Sequence, residues 1–396
     1  MVIIRYKSLY ICTLVPIFIR LESYLCYPGK LFLFTLQKSI IMTAKRIHID
    51  PTWTFRDEAG NTLDPQLFKL LSEIYQHRKL TGAAKAAGIS YRHGWNMLNK
   101  WADFFGTELV KLEKGRGATL TPLGEKLLWA EQRVMARFQP QMANLASELN
   151  VEIQKALVNL TPLLRIQASH GYAVALLPDV CTDLQLDLQY SSPLEALAAL
   201  NRDACDIAGF HMPTGVVIPQ LLARYQQLLK PRAHKIIRFI TRQQGLMIRK
   251  DNPLHIESLQ DLTNTEVRFI NRQEDSGTRA LFDQLVSNNK ITANNINGYS
   301  NREFTHSAVA AYVAAGMADV GFGVEQAAHQ FGLGFIPICT EEYVFVCHQK
   351  SLKKAAVSRF IEIISSDTFS LKVQSLAGYK SELSGTVEEL AEFMAC

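Results

Sequence analysis

LTGAAKAAGISYRHGWNMLNKWADFFGTELVKLEKGRGATLTP, residues 80–122, spells a helix, a turn, a second helix and a hairpin in order. Thr81 to Ala87 is a run of helix formers that stops at Gly88, a residue able to take positive φ and let the chain turn sharply. Ser90 is a good N-cap for the helix that follows. From there Trp95, Leu98, Ala102 and Phe105 recur at helical spacing and predict a buried stripe, with Arg92, Asn96 and Asn99 on the opposite face. Val110 to Glu113 and Ala118 to Thr121 read as two strands joined by Lys114-Gly115-Arg116-Gly117, which puts Arg116 at a hairpin tip. The stretch reads as an α+β winged helix-turn-helix, whose second helix offers its N-terminal half to the major groove.

Charge agrees with that reading. Between Arg78 and Arg116, Arg78, Lys79, Lys85, Arg92, Lys100, Lys111, Lys114 and Arg116 outnumber Asp103, Glu108 and Glu113. A positive surface of this kind supplies the sequence-independent part of affinity for double-stranded DNA, the expected partner.

SYRHGW (residues 90–95) followed by KGRGATLTPLGEKLL (residues 114–128) resembles the DNA-binding domain of the ModE-type molybdate-responsive regulators, itself a relative of the LysR-type reader head. The resemblance covers roughly Leu63 to Leu128. It implies that Tyr91, Arg92, His93 and Asn96 face the groove, with Lys100 on the same helix, and that Lys114 and Arg116 are wing contacts. Gly94 stands out inside this helix, where glycine costs about 1 kcal/mol relative to alanine. Either the backbone approaches something closely there or the helix is soft.

At 396 residues, two or three domains are expected, and 48% hydrophobic with 20% charged residues is ordinary for globular protein. A net charge of +5 leaves electropositivity as a local matter. Seven cysteines without CxxC or zinc spacing imply reduced thiols in the cytoplasm and no structural metal. The apolar runs Leu9–Ile19 and Leu31–Leu36 are too short to span a bilayer. Residues 1–41 read as an upstream extension of the reading frame, with Met42 as the expected start. The expected division is 1–41 extension, 42–122 winged helix-turn-helix, 123–160 linker helix and 161–396 ligand-binding domain.

A long helix is expected from Leu123. Leu128, Met135, Met142 and Leu149 recur every seven residues, with Phe138 and Leu145 offset by three, and Glu131 and Pro140 interrupt the pattern. Such a seam either packs on its own domain or pairs two copies into a homodimer that matches a two-fold-symmetric operator.

The remainder alternates strands (Leu163–Ser169, Cys205–His211, Gly245–Lys250, Glu266–Arg272, Ala318–Gly323, Tyr343–His348) with helices (Pro193–Asn201, Thr278–Asn288, Ser307–Ala315, Leu352–Ile364), which predicts an α/β domain of mostly parallel strands. Ligands of such sheets sit beyond the carboxyl ends of the strands. Three of these ends carry similar chemistry: Ser169-His170-Gly171, Asp275-Ser276-Gly277-Thr278-Arg279 and Thr305-His306-Ser307. Converging caps of this type bind an oxyanion or carboxylate through free amides and hydroxyls.

FINRQEDSGTRALFDQL (269–285), VAAYVAAGMADVGFGVEQAA (309–328) and DIAGFHMPTG (206–215) resemble the substrate-binding domain related to periplasmic molybdate-binding proteins that is found fused to ModE-like heads. The resemblance implies a two-lobed type II periplasmic-binding-protein fold with ligand in the cleft. Ser169, His170, Gly171, Ser276, Gly277, Thr278 and Ser307 are the candidate contacts, with Arg279 and His211 as lining residues. Arg279 alternatively pairs with Glu274 or Glu303. Molybdate or tungstate is the first effector candidate, and sulfate-like oxyanions, small carboxylates and organic sulfur compounds stay open. No cofactor is implied. The chain has no Walker lysine loop, HExxH or G-x-S-x-G elbow, so an enzyme is not expected. A transport-associated solute-binding protein would share the second half but not the winged helix.

Overall fold

The computed structural model describes residues 47–49, 55–56, 58, 60, 62–113, 117–156, 162–215 and 218–394, so the expected extension over 1–41 lies outside the described residues. Residues 45–396 form one compact unit. A short pair, β1 (Phe55–Arg56) with β2 (Thr62–Leu63), precedes three helices: α1 (Gln66–His77), α2 (Leu80–Ala87) and α3 (Tyr91–Phe105). An antiparallel hairpin follows, β3 (Val110–Glu113) with β4 (Gly117–Leu120).

The Ser90 hydroxyl accepts from the His93 amide at 3.1 Å and starts α3 as expected. Its buried face, however, is Gly94, Met97, Leu98 and Trp101, and Trp95 is 40% exposed. The stripe is rotated by about one residue because Trp101 takes the core, edge-on to Phe68 and stacked on Phe105. The rotation buries Gly94. A Cβ there would lie 3.5 Å from both Leu70 Cδ2 and Ile89 Cδ1, ordinary contact, so α3 packs closely at this point without requiring glycine. Gly117 has φ +99°, and a Cβ would fall 2.2 Å from the Arg78 carbonyl, which accepts from Ala118 N at 2.8 Å. Only glycine brings the hairpin that close to the end of α1.

α4 (Pro122–Ala156) runs straight out of the hairpin for 35 residues. Near its start Trp129 lies between Tyr75 of α1 (5.2 Å) and Phe331 (5.9 Å), joining the head to the second half. The expected seam does not meet one environment: Leu128 is buried, Met135 and Met142 are half-buried, and Leu149 is exposed. Phe138, Leu145 and Leu149 form an exposed apolar stripe (40%, 49% and 42%), while the opposite side of the helix packs on the second half of the chain.

The second half opens with β5 (Leu163–Ala168), α5 (Tyr172–Ala175), α6 (Leu177–Val180), β6 (Gln185–Tyr190), α7 (Pro193–Asn201), β7 (Ile207–Pro213) and α8 (Pro219–Leu228). After β8 (His234–Ile248) come β9 (Phe269–Arg272), α9 (Gly277–Asn288), β10 (Arg302–Glu303), α10 (His306–Ala314), β11 (Val320–Val324) and α11 (Glu325–Gln330). β12 (Gly334–His348), α12 (Ala355–Ile364), α13 (Asp367–Gln374), β13 (Tyr379–Lys380), β14 (Val387–Glu389) and α14 (Leu390–Phe393) complete it.

The sheet order is β10-β9-β11-β8-β12-β7-β5-β6, with β13 and β14 also on β8. β5, β6 and β7 are mutually parallel, as are β9, β10 and β11, but β8 and β12 are antiparallel to each other and to β11 and β7 respectively. The sheet is therefore mixed rather than mostly parallel. β8 and β12, 15 residues each, run from one lobe into the other. Their apolar ends are legible in sequence. Their centres, Arg242-Gln243-Gln244 and Thr340-Glu341-Glu342, are polar because they cross beneath the cleft.

Candidate functional site

Between the lobes lies a cavity of about 200 Å³. Three helices begin on it, α7, α9 and α10, whose N-caps Ser192, Ser276 and Thr305 all line it. The first amides of a helix have no partner within it, so α9 and α10 aim donors at one space, whereas in α7 Pro193 has no N–H and the Ser192 hydroxyl takes the Glu195 amide. Convergence of three caps was expected, but with a different third member: the helix after Ser169 has only four residues, and α7 replaces it.

Of the expected ligand residues, Ser169, His170, His211, Ser276, Gly277 and Thr278 line the cavity. Gly171, Arg279 and Ser307 do not. The Gly171 Cα faces Arg242, whose Nη1 would lie 3.4 Å from an added Cβ. Arg279 turns away to Asp283 at 2.8 Å and sits 4.3 Å from the Tyr299 ring, instead of meeting Glu274 or Glu303. Those two acids pair with Arg302 and Arg133. The Ser307 hydroxyl is 2.7 Å from the Tyr172 hydroxyl.

Beneath the cavity a buried polar network crosses the lobes. Glu341 accepts from Arg242 Nε at 2.9 Å and from Gln244 Nε2 at 2.7 Å, with Arg242 Nη2 ion-paired at 2.8 Å, and lies 3.6 Å from His211 Nε2. His211 Nδ1 is 3.3 Å from Ser169 Oγ, and Tyr343 OH donates to the Ser169 carbonyl at 2.9 Å. On the other lobe His306 Nε2 is 3.5 Å from Thr278 Oγ1. A Cβ on Gly277 would fall 2.5 Å from His211 Nε2, so glycine is what lets α9 start against that ring.

The electrostatics separate two arginines. Burial opposes the Arg242 charge, but Glu341 outweighs it and raises the pKa. Burial and then the neighbouring Arg242 push Arg272 down to about 10. Arg272 is 8% exposed; its Nη2 donates to the Phe304 carbonyl at 3.0 Å, and its Nη1 has no hydrogen-bond partner among the described residues. Burial, helped by the two arginines, lowers His170 and His211 to about 4 and His306 well below its ordinary value. The imidazoles are thus neutral at pH 7. Two acids also line the cavity: Glu195 closes a capping box with Ser192, and Asp275 stands at the start of α9. The arrangement provides one buried cation, Arg272, without an ion pair among the described residues, together with neutral donors and helix N-terminal amides, a chemistry that suits a small anion.

Sequence reasoning missed Arg242, Gln244, Arg272 and Glu341, and named His306 only within the Thr305-His306-Ser307 cap. Arg272 stands directly beside named residues. Arg242, Gln244 and Glu341 carry a detectable signal, a charged or amide residue inside an otherwise apolar run.

On the head, Tyr91, Arg92, His93, Asn96 and Lys100 are all exposed on α3, and Tyr91 is 51% exposed. The expected wing contacts Lys114 and Arg116 lie outside the described residues. Among the described residues no group of His, Cys, Asp and Glu is arranged to hold a metal, and no helix is long and apolar enough to cross a membrane.

An uncharacterized protein encoded in the 5′ region of the ferredoxin 2Fe-2S gene of Clostridium pasteurianum is 35% identical to this chain over 112 residues, 28% of this chain and 99% of that protein. The chain belongs to its family. Residues 175–365 match the model of the PBP superfamily domain, and the two-lobed half is periplasmic-binding-protein-like. The uncharacterized protein YvgK of Bacillus subtilis (strain 168) is 29% identical over 199 residues, half of this chain, and the match spans 64% of YvgK, less than two thirds of its length. The molybdenum-pterin-binding protein MopB of Rhodobacter capsulatus is 26% identical over 121 residues, 30% of this chain and 44% of MopB. Among solved structures, CbnR, a LysR family transcriptional regulator, aligns over 76% of this chain and 99% of its own with 14% identity and a TM-score of 0.36.

Proposed function

We propose that this chain is a cytoplasmic DNA-binding transcriptional regulator whose cleft senses a small anion, and that it performs no catalysis. Molybdate or tungstate is the first candidate, in keeping with the sequence resemblance and with the name of the relative MopB. The observation that carries the sensing is Arg272, a buried guanidinium with one nitrogen unpartnered among the described residues, beside three helix N-termini. A cavity of about 200 Å³ limits the ligand to a small solute, below the ~300 Å³ at which pockets for larger organic ligands begin. Small carboxylates are the second reading, because a guanidinium fork fits a carboxylate as well as an oxyanion.

The head reads double-stranded DNA through the exposed face of α3 as a winged helix-turn-helix, with residues 42–122 as head and 123–160 as linker. The exposed stripe Phe138, Leu145 and Leu149 receives the same stripe of a second copy, giving a homodimer. A thermal-shift screen of the full chain tests the sensing half, since a specific ligand at 100 times its Kd stabilises by about 2.7 kcal/mol. Molybdate, tungstate, sulfate, malonate and succinate are the panel. A midpoint that none of them moves refutes the anion reading, and failure to shift any duplex in a gel refutes the DNA reading.

A further inference from the structure

α4 is built onto both lobes of the cleft. On one lobe Arg133 pairs with the fully buried Glu303, and Thr305 Oγ1 donates to the Ala136 carbonyl at 3.1 Å. Pro140 explains that second bond. It has no N–H to give the carbonyl four residues back, so Ala136 O is released from the helix ladder and the Thr305 hydroxyl takes it. On the other lobe Asn144 donates to the Tyr190 carbonyl at 3.0 Å and accepts from its amide at 2.6 Å, while Ser147 Oγ accepts from Leu188 N at 2.9 Å. These side chains satisfy the open edge of β6 as a further strand would.

Between the two anchorages Arg137, Pro140 and Gln141 line the same cavity as Arg272. Arg137 and Arg272 flank one residue: the first sits 4.4 Å from the Phe304 ring, and the second donates to the Phe304 carbonyl. One guanidinium is buried and the other exposed, so they mark the inner and outer ends of the site.

We propose that the effector site is composite, with Arg137 of α4 as a direct ligand contact, and that the cleft takes a dianion held between Arg272 and Arg137. This rests on the cleft being the anion site. The effector then touches the helix that leads without interruption into the hairpin of the head. Coupling to DNA starts at the ligand itself, in addition to any closure of the lobes, and is reciprocal between ligand and DNA.

Titration calorimetry of the full chain with molybdate and with malonate tests this on the parent, Arg272→Met, Arg137→Ala and Arg137→Lys. Arg272→Met is expected to abolish binding of whichever probe the parent takes. Arg137→Ala is expected to weaken it about tenfold, the scale of one hydrogen bond to a charged group, and Arg137→Lys to restore most of the loss. Abolition in Arg272→Met with parent affinity in Arg137→Ala keeps the cleft and overturns the part given to α4. Equal weakening in Arg137→Ala and Arg137→Lys assigns the loss to packing on Phe304 and overturns the contact as well. Parent affinity in Arg272→Met, or a parent that takes neither probe, overturns the cleft reading and this inference with it.

Discussion

The head and the cleft hold their polar chemistry in opposite ways. α3 displays Arg92, His93, Asn96 and Lys100 to water, with only His93 near a charged group among the described residues, 3.9 Å from Asp64. The cleft buries Arg242, Arg272, His211, His306 and Glu341 behind at least nine-tenths of their surface. Exposed side chains are nearly independent of one another and of the fold. Buried ones are coupled, because each lowers or raises the cost of its neighbours' charge. Substitutions should therefore alter binding and leave stability intact in the head, whereas in the cleft they should alter both.

Arg242→Met is the strongest way to break this contrast. It removes the cation opposite Glu341 and leaves a buried carboxylate, which is expected to destabilise the domain by about 3–5 kcal/mol. Denaturant unfolding of the full chain measures it. A loss below 1 kcal/mol would mean that water already reaches Glu341 and that the cleft is not the dry, coupled network described.

The same difference explains what could be read from the residues alone. Helix starts at Ser90 and Ser276, the turn at Gly88 and the apolar ends of β8 and β12 are local signals, carried by capping, positive φ and short-range pattern. The exposed face of α3 follows from helical spacing even though that spacing puts the buried stripe one residue off, since Trp95 and Trp101 compete for one core and only tertiary packing shows that Trp101 takes it. The network under the cleft depends on long-range register, Glu341 opposite Arg242 across β8 and β12, which no local pattern encodes. The role of α7 was hidden in the same way, because Ser192 meets Ser276 and Thr305 only once the lobes are assembled.

Acid sharpens the comparison. Above pH 6.5 His211 is neutral whether the chain is folded or not; below it the unfolded chain takes up a proton that the folded chain refuses until about pH 4. The unfolded state binds more protons in that window, so stability falls as the pH drops from 6.5 to 4 and is flat above it. At about 1.4 kcal/mol per pH unit, the loss from His211 alone is roughly 3 kcal/mol. Unfolding free energies at pH 7, 5.5 and 4.5 for the parent and His211→Gln isolate that share. Parallel pH profiles for the two proteins would show that the ring is not held neutral by burial.

On the head the expected effects are on DNA and not on folding. Arg92→Ala and Asn96→Ala should each lose about 1–3 kcal/mol of discrimination between the preferred operator and random duplex, with unchanged melting midpoints. Fluorescence anisotropy at matched salt reads the first quantity and a thermal scan the second. Parent-like discrimination in both variants would move the reading surface off α3.

The smallest effect comes from making one substitution in both regions. At Gly94 a methyl group would meet Leu70 and Ile89 at 3.5 Å, ordinary contact, so Gly94→Ala should recover part of the helix penalty and stabilise the head by about 0.5–1 kcal/mol. At Gly277 the same methyl would lie 2.5 Å from His211 Nε2, and that ring is fixed by Ser169 on one side and Glu341 on the other. Gly277→Ala must push it, and should lower anion affinity although alanine is the better helix former. Thermal scans and anion titrations on both variants settle the pair. If Gly277→Ala stabilises the chain and keeps its affinity, His211 has room to move, and the cleft tolerates change as the head does.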